Sequence, residues 1–431
     1  MLNWNTLDTQ QRREALSRPG ITTSTGLQQT TRGIISQVEE HGDTALLDLT
    51  QQFDGVKLKA LIADPPVKKD LNASLPRDLT QAIERAYANI HGFHEPQRTN
   101  DLLIESSPGI RSELVSRPLQ SVGLYVPGGA APLVSTALML GVLAQIAQVP
   151  RVVLVSPPDE SGEIAAAIRY AAALCGITEL WPLGGAQAVA ALAFGTETLR
   201  PVDKIFGPGN RFVTEAKRQV SNTPGGPAID MPAGPSEVLV LADDSADPRF
   251  VAADLLAQAE HGPDSQVLLV SNAPGLLEAA AAEVDSQLAT LPRKGIAAQA
   301  MEHSRYILVD NLEQGVEVIN AYAPEHLIIN TGNPEQYLAG IHNAASIFLG
   351  PWSPESAGDY ASGPNHVLPT YGASRHTSSL SLVDFMKRFT VQKLSKTGLH
   401  ALAETITCMA RSENLDAHAR SVDIRLQEDL A

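Results

Sequence analysis

Cysteine is nearly missing from this chain: among 431 residues only Cys175 and Cys408 occur, far apart in sequence. Their scarcity excludes a disulfide framework, a Cys-x-x-Cys dithiol and a thiolate zinc knuckle, and makes a reducing, cytoplasmic compartment the expectation. Positive charge is in deficit, with 32 Lys+Arg against 48 Asp+Glu and a formal net charge of −16. A phosphate backbone or an anionic lipid surface needs a basic face, so no nucleic-acid and no membrane partner is expected. The stretch from Met1 to Asp8 has neither a basic n-region nor an apolar h-region and does not read as a secretory signal. From Val122 to Pro150 charge is absent altogether. A membrane-spanning helix takes about 20 consecutive apolar residues. Here the run is broken by Pro127-Gly128-Gly129 and Pro132 and carries Ser135, Thr136, Gln145 and Gln148. It reads as a strand, a Gly-rich turn and a buried helix.

What is present is a large reserve of apolar residues, 43% of the chain against 19% charged. That is enough for sizeable cores, and the length predicts two to four domains at roughly 100–200 residues each. The first twenty residues read as a short helix-prone arm. A longer helix follows, with Ser24 or Thr25 as its cap and Gly42 at its end. From about Ser121, short apolar runs alternate with alanine-rich helical ones: Arg151–Ser156 then Glu163–Cys175, Leu180–Leu183 then Ala186–Phe194, Lys204–Phe206 then Asn210–Val220. The rhythm continues with Val238–Leu241 then Pro248–His261, Gln266–Val270 then Gly275–Leu288, and Tyr306–Val309 then Leu312–Tyr322. Such alternation implies parallel sheets covered by helices on both faces, in more strands than one ordinary sheet holds. The expected architecture is therefore α/β with two incomplete Rossmann-like domains. One would span 121–236 and the other would join 21–120 to 237–378, with an arm at 1–20 and a helical segment at 379–431.

Ligands of α/β sheets sit at the carboxyl ends of the strands. Two Gly-rich turns lie there, one running from Tyr125 through Gly129 and the other Phe206-Gly-Pro-Gly-Asn210. Phe212 stands where a dinucleotide fingerprint requires its third glycine, so neither turn is that fingerprint. In Gln258-Ala-Glu-His261-Gly-Pro, two metal-capable side chains three residues apart share one side of a helix end. A helix dipole would equally favour a histidine there with no metal. Glu325 and His326 precede an apolar strand, Leu327–Ile329, where a bend could turn both into one cleft. A dense loop follows with Glu355, Asp359 and His366. A neutral imidazole suits proton abstraction from an alcohol and a carboxylate suits activation of water, though each residue alone reads as a loop hydrogen-bonder. Near the end, Asn414 and Asp416 mark a turn and a helix start, with His418 in the first turn.

Taken together, GLYVPGG, GGAQAVAALAFGT, DKIFGPGN, AIDMPAGPSEVLV, QAEHGPDSQ, APEHLII, SPESAGDYASGPNHVLPT and ENLDAH resemble the histidinol dehydrogenase family, in the family's order and from about residue 25 onward. The resemblance implies oxidation of L-histidinol to L-histidine through bound L-histidinaldehyde, with NAD and Zn2+ as cofactors. It implies Gln258, His261, Asp359 and His418 as zinc ligands that also meet the substrate. It implies Glu325 and His326 as the acid/base pair, with His326 touching substrate, and Ser236, His366 and Glu413 as further substrate contacts. NAD contacts would fall on Tyr125, Gln187 and Asn210. The family's C-terminal segment crosses to a partner, so a homodimer is implied, with Glu413 and His418 completing the neighbour's site. Competing expectations are an NAD-dependent dehydrogenase of another small amino- or sulfo-alcohol, a zinc hydrolase in which Glu325 activates metal-bound water, and a non-catalytic nucleotide- or metal-binding protein.

Overall fold

A computed structural model describes residues 1–19, 25–128, 132–231 and 234–427, so Ser24 and Gly129 lie outside the described residues. The strands begin with β1 (Leu2–Asn3), β2 (Leu102–Ser107), β3 (Ile110–Pro118), β4 (Ser121–Tyr125) and β5 (Arg151–Val155). Next come β6 (Glu179–Trp181), β7 (Lys204–Phe206), β8 (Ala228–Ile229), β9 (Glu237–Ala242) and β10 (Gln266–Ser271). The last are β11 (Arg305–Leu308), β12 (His326–Asn330), β13 (Ser346–Leu349) and β14 (Met386–Leu394).

They form a five-stranded sheet in the order β6-β5-β4-β7-β8 and a six-stranded sheet in the order β1-β11-β10-β9-β12-β13, both wholly parallel. The near-continuous apolar strands require this, because a parallel sheet buried on both faces leaves no position for polar alternation. Every residue of β9, β10 and β12 is buried. The uncharged stretch after Val122 becomes β4 and the helix Val134–Ala147, which lies under other layers along nearly its whole length. Among the described residues no helix is long and apolar enough to cross a membrane.

The structure groups the N-terminal third differently from the expectation. Ile34, Ile35, Val38, Leu46 and Leu49 of the helix Thr25–Phe53 pack with Val153, Val155 and Trp181 of the five-stranded sheet. On the other face, Ile83 and Ile90 join Val122, Leu124 and the helix Val134–Ala147. Residues 25–94 thus cover the 121–236 sheet rather than joining 237–378. The reason is area: a five-stranded sheet has two apolar faces, and the helices of 25–94 complete the cover that its own connecting helices begin. Gly42 kinks the long helix instead of ending it, at φ +50, and the Glu197 carboxylate accepts the Asp43 N–H there at 2.8 Å.

The arm is not separate either. β1 pairs with β11, and Trp4 and Ala15 enter the core of the six-stranded sheet. The tail holds a strand as well as helices: β14 pairs antiparallel with β3, and β3 with β2. Lys387, Arg388 and Lys393 interrupt β14, and eight of its nine residues are exposed, so no buried-strand signature exists in its sequence. The helices Lys396–Ser412 and Asp416–Gln427 follow.

One ion pair ties the arm to the sheet. Arg18 forks onto Glu237 at the start of β9, with Nε–Oε1 2.5 Å and Nη2–Oε2 2.8 Å; the Glu237 carboxylate is buried and the Arg18 side chain mostly so. Removing one partner of such a pair strands a buried charge and costs about 3–5 kcal/mol. Arg18→Met is therefore expected to lower the denaturant-unfolding free energy by about that amount, and Arg18→Met with Glu237→Gln to recover part of it. A loss within the noise of unfolding would show that the pair anchors nothing.

Candidate active site

The elements that carry the cluster come together at the carboxyl end of one helix and the leading ends of two strands. The helix Pro248–Ala259 puts fully buried Gln258 in its last turn. His261 lies two residues beyond the helix rather than in it, with its N–H donating to the Gln258 carbonyl at 3.3 Å. Its Nδ1 meets the Ser236 hydroxyl at 3.2 Å. Ala323, in the left-handed region at φ +58, stops the preceding helix and supplies the bend before Pro324, Glu325 and His326. His326 opens β12 opposite Val238 of β9 and Ser346 of β13, so the ring is carried by a central strand and not by a loop.

The β9 backbone holds both residues of this pair. The Glu237 N–H donates to Glu325 Oε2 at 2.8 Å, and the Glu237 carbonyl accepts from His326 Nδ1 at 3.0 Å. That assignment puts the proton of the neutral ring on Nδ1 and leaves Nε2 basic. Nε2 faces Asp359 Oδ1 at 3.7 Å across a cavity of about 120 Å³ lined also by Phe348 and His366. The dense loop has regular structure after all, a short helix Glu355–Tyr360 that carries two carboxylates one turn apart.

Glu355 is the residue the sequence reading left outside its ligand set. Its carboxylate, the Asp359 carboxylate and a His261 nitrogen lie within 4.8 Å of one another, a set able to hold a cation. The Gln258 amide lies between the Glu355 carboxylate and the Glu237 N–H, and is satisfied with its nitrogen donating to the first and its oxygen accepting from the second at 3.1 Å. This amide, imidazole and carboxylate set has the ligand types that suit a borderline divalent ion such as Zn2+. A helix spacing of three or four from Asp359 was the available signal for Glu355.

Burial shapes the charges. Desolvation pushes Glu325 and Glu355 up to about 8. Burial pulls His326 down, but Glu355, Glu325 and Asp359 outweigh it and push the imidazole up to about 10. Burial also raises Asp359, yet the neighbouring histidines hold it below its ordinary value. His261 and His366 are lowered by burial, which suits them as neutral nitrogen donors.

His366 joins the two sheets' territories. Its Nδ1 meets the Asp359 carbonyl at 2.9 Å and its Nε2 lies 3.4 Å from the Thr136 hydroxyl, while Asn365 donates to the Met139 carbonyl at 2.8 Å. On the five-stranded sheet, Tyr125 ends β4 and its phenol accepts the Gly185 N–H at 3.0 Å. Asn210 caps the helix Arg211–Ser221. Gln187 is buried, and its amide nitrogen has no partner among the described residues. Gly207, at φ +117, passes so close to the Tyr125 carbonyl that a side chain there would collide with it. Ser236, Gln258, His261, Glu325, His326, Asp359 and His366 thus share one site. Glu413 and His418 do not join it within this chain: both are exposed in the C-terminal segment.

An acid–base cluster with a cation-capable set, beside a second parallel sheet whose carboxyl edge carries unpartnered polar atoms among the described residues, is the arrangement of an α/β enzyme. A family model described as histidinol dehydrogenase matches residues 17–426. Histidinol dehydrogenases from Colwellia psychrerythraea and Vibrio parahaemolyticus are each 53% identical over 428 residues, 99% of this chain and 99% and 98% of theirs. The crystal structure of histidinol dehydrogenase from Elizabethkingia anophelis superposes with a TM-score of 0.95 at 44% identity, covering 100% of this chain and 98% of that one. The chain belongs to the histidinol dehydrogenase family.

Glu325, Glu355 and His326 hold protons more tightly folded than unfolded, from ordinary values of 4.5, 4.5 and 6.5. Their share of stability is complete below about pH 4.5 and is lost as pH rises through about 8 and then about 10. Chelator-treated protein should melt at falling temperature from pH 6 to pH 9, and excess Zn2+ should abolish that slope while releasing protons. A flat or rising profile without metal would refute the charge assignment.

Proposed function

We propose that this chain is an L-histidinol dehydrogenase that converts L-histidinol to L-histidine through bound L-histidinaldehyde, with NAD+ and Zn2+ as cofactors. The observation that carries the reading is His326, buried on a central strand with Nδ1 held by a carbonyl and Nε2 facing the cation-capable cluster. Gln258, His261 and Asp359 would hold the metal, with His418 of a second copy as fourth ligand, and Tyr125, Gln187 and Asn210 would contact the dinucleotide. Those groups supply a cationic anchor for the imidazole and amine nitrogens of histidinol and a two-electron hydride acceptor.

The chain's own residues supply the rest. His326 Nε2 takes the proton of the alcohol as the carbon is oxidised. Glu325, held in a dry pocket beside it, draws a proton from water and so hydrates the aldehyde. His326 then serves as base again as the hydrate is oxidised to the carboxylic acid. Ser236, His366 and Glu413 orient the substrate. A cation held on the cation-capable set would lower the proton affinity of His326 from its metal-free value and so favour the ring as a base.

The proposal includes a homodimer in which Glu413 and His418 complete the neighbour's site, and a cytoplasmic location. Supporting the dimer, β14 exposes Phe389 and Val391, the helices after it expose Met409 and Ile424 with Leu415 between them, and β2 exposes Leu102, Leu103 and Ile104. Apolar faces of this extent mark an interaction surface.

With L-histidinol and NAD+, absorbance at the NADH band should show two NADH for each histidine formed, because alcohol to acid is a four-electron oxidation. The signal should vanish with chelator and return with Zn2+; no NADH from histidinol would overturn the reading. His326→Asn should lower turnover by about 10²–10⁴ with metal retained, whereas equal turnover would remove the base. Co-expressing an inactive His326→Asn chain with an inactive His418→Ala chain should restore activity, since one of the two sites in each mixed dimer is then intact. No restoration would place the tail in its own chain's site.

A further inference from the structure

The carboxyl edge of the five-stranded sheet holds polar groups that the chain itself does not satisfy. Eight buried side-chain polar atoms have no hydrogen-bond partner among the described residues, and four of them belong to this edge: Asp54 Oδ2, Ser156 Oγ, Trp181 Nε1 and Gln187 Nε2. Ser156 directly follows β5, Trp181 ends β6, and Gln187 sits in the first turn of the helix Gly185–Phe194. Asp54 directly follows the helix Thr25–Phe53 and stands near enough to Tyr125 for its charge to hinder loss of the phenol's proton. Buried unpaired polar atoms are rare in folded proteins, and their gathering at one edge implies a molecule that supplies the partners.

The two faces of the sheet give this molecule a direction. Along β4, Val122 and Leu124 face the layer of the helix Val134–Ala147, and Tyr125 faces the layer of the helices Thr25–Phe53 and Gly185–Phe194. The acid–base cluster reaches the first face, where His366 lies 3.4 Å from Thr136. Asp54, Tyr125, Trp181 and Gln187 belong to the second. A dinucleotide lying across the edge with its nicotinamide at the cluster therefore carries its adenosine half to the second face.

We propose that Asp54 is a specificity-determining residue that accepts hydrogen bonds from the adenosine ribose hydroxyls of the dinucleotide and repels a 2′-phosphate. The inference rests on the reading that this crevice takes NAD+. An acceptor-only carboxylate suits a vicinal diol, and a phosphate in its place would set two negative charges against each other. Among the described residues no cation pairs with Asp54 and its Oδ2 has no hydrogen-bond partner, and burial raises its proton affinity, so a hydroxyl donor suits it. The site differs from an ordinary dinucleotide fold in origin: the carboxylate comes from the covering N-terminal helix, not from the end of a neighbouring strand.

The test uses the full-length, Zn2+-loaded protein and dissociation constants from titration calorimetry for NAD+, NADP+ and 2′-deoxy-NAD+. Wild type should bind NAD+ at least about tenfold more tightly than either analogue, the worth of a hydrogen bond to a charged group. Asp54→Asn and Asp54→Ala should weaken NAD+ by about tenfold and narrow its advantage over NADP+, with metal content and histidinol affinity unchanged. The 2′-deoxy measurement needs no variant, so a variant that fails to fold leaves the test standing. If wild type binds all three alike, or the variants keep wild-type affinities, Asp54 has no such role and water satisfies it, while the NAD+ reading survives. If wild type binds no NAD+, both fall.

Discussion

The Arg18–Glu237 pair is the constraint on which the rest of this structure depends. Arg18 also donates to the Tyr322 and Ala323 carbonyls and lies 3.9 Å over the Tyr322 ring. Glu237 Oε1 accepts the Tyr371 N–H as well, at 2.8 Å. One buried pair thus fixes the arm, the start of β9, the left-handed turn at Ala323 and the loop around Tyr371. The same Glu237 presents its main-chain N–H and carbonyl to Glu325 and His326. The charge pair and the acid–base pair are two faces of one residue, and the first sets the position from which the second works.

Within that frame the two parallel sheets have separate duties. The six-stranded sheet carries the titratable cluster and the cation-capable set, with Glu325 and Glu355 buried where carboxylates resist ionisation and Asp359 kept ionised by the histidines around it. The five-stranded sheet offers a crevice with unsatisfied polar atoms and close backbone approaches. The loop 361–370 stitches them together through His366 and Asn365. Neither sheet alone assembles the reaction, and the tail that would finish the site extends away on an antiparallel ribbon. This division suits a reaction that needs hydride transfer and water activation at a single carbon.

Much of this was legible in the sequence. Alternating apolar strands and helices gave two parallel sheets, the helix end gave Gln258 and His261, the dense loops gave Glu325, His326, Asp359 and His366, and Ser236 came only with the family resemblance. What escaped reading has physical causes. The helices of 25–94 carry generic amphipathic faces, and nothing in such a face says which sheet it will cover. β14 is exposed and broken by basic residues, so its pairing with β3 is a tertiary fact without a local pattern. Arg18 resembled any arginine of a polar arm, because a buried ion pair has no signature until both partners are located. Glu355 was visible in its loop, and only the turn of helix that aligns it with Asp359 gives it meaning.

His326 opens a strand whose neighbours on both sides are parallel and in strict register, Val238 on one and Ser346 on the other. Side chains alternate along a strand, so a slip of one residue would turn the imidazole away and present a leucine. The base therefore has no adjustment independent of the sheet. Any adjustment around the ring falls to the neighbouring loops, such as 361–370, while the ring itself stays a fixed point of reference.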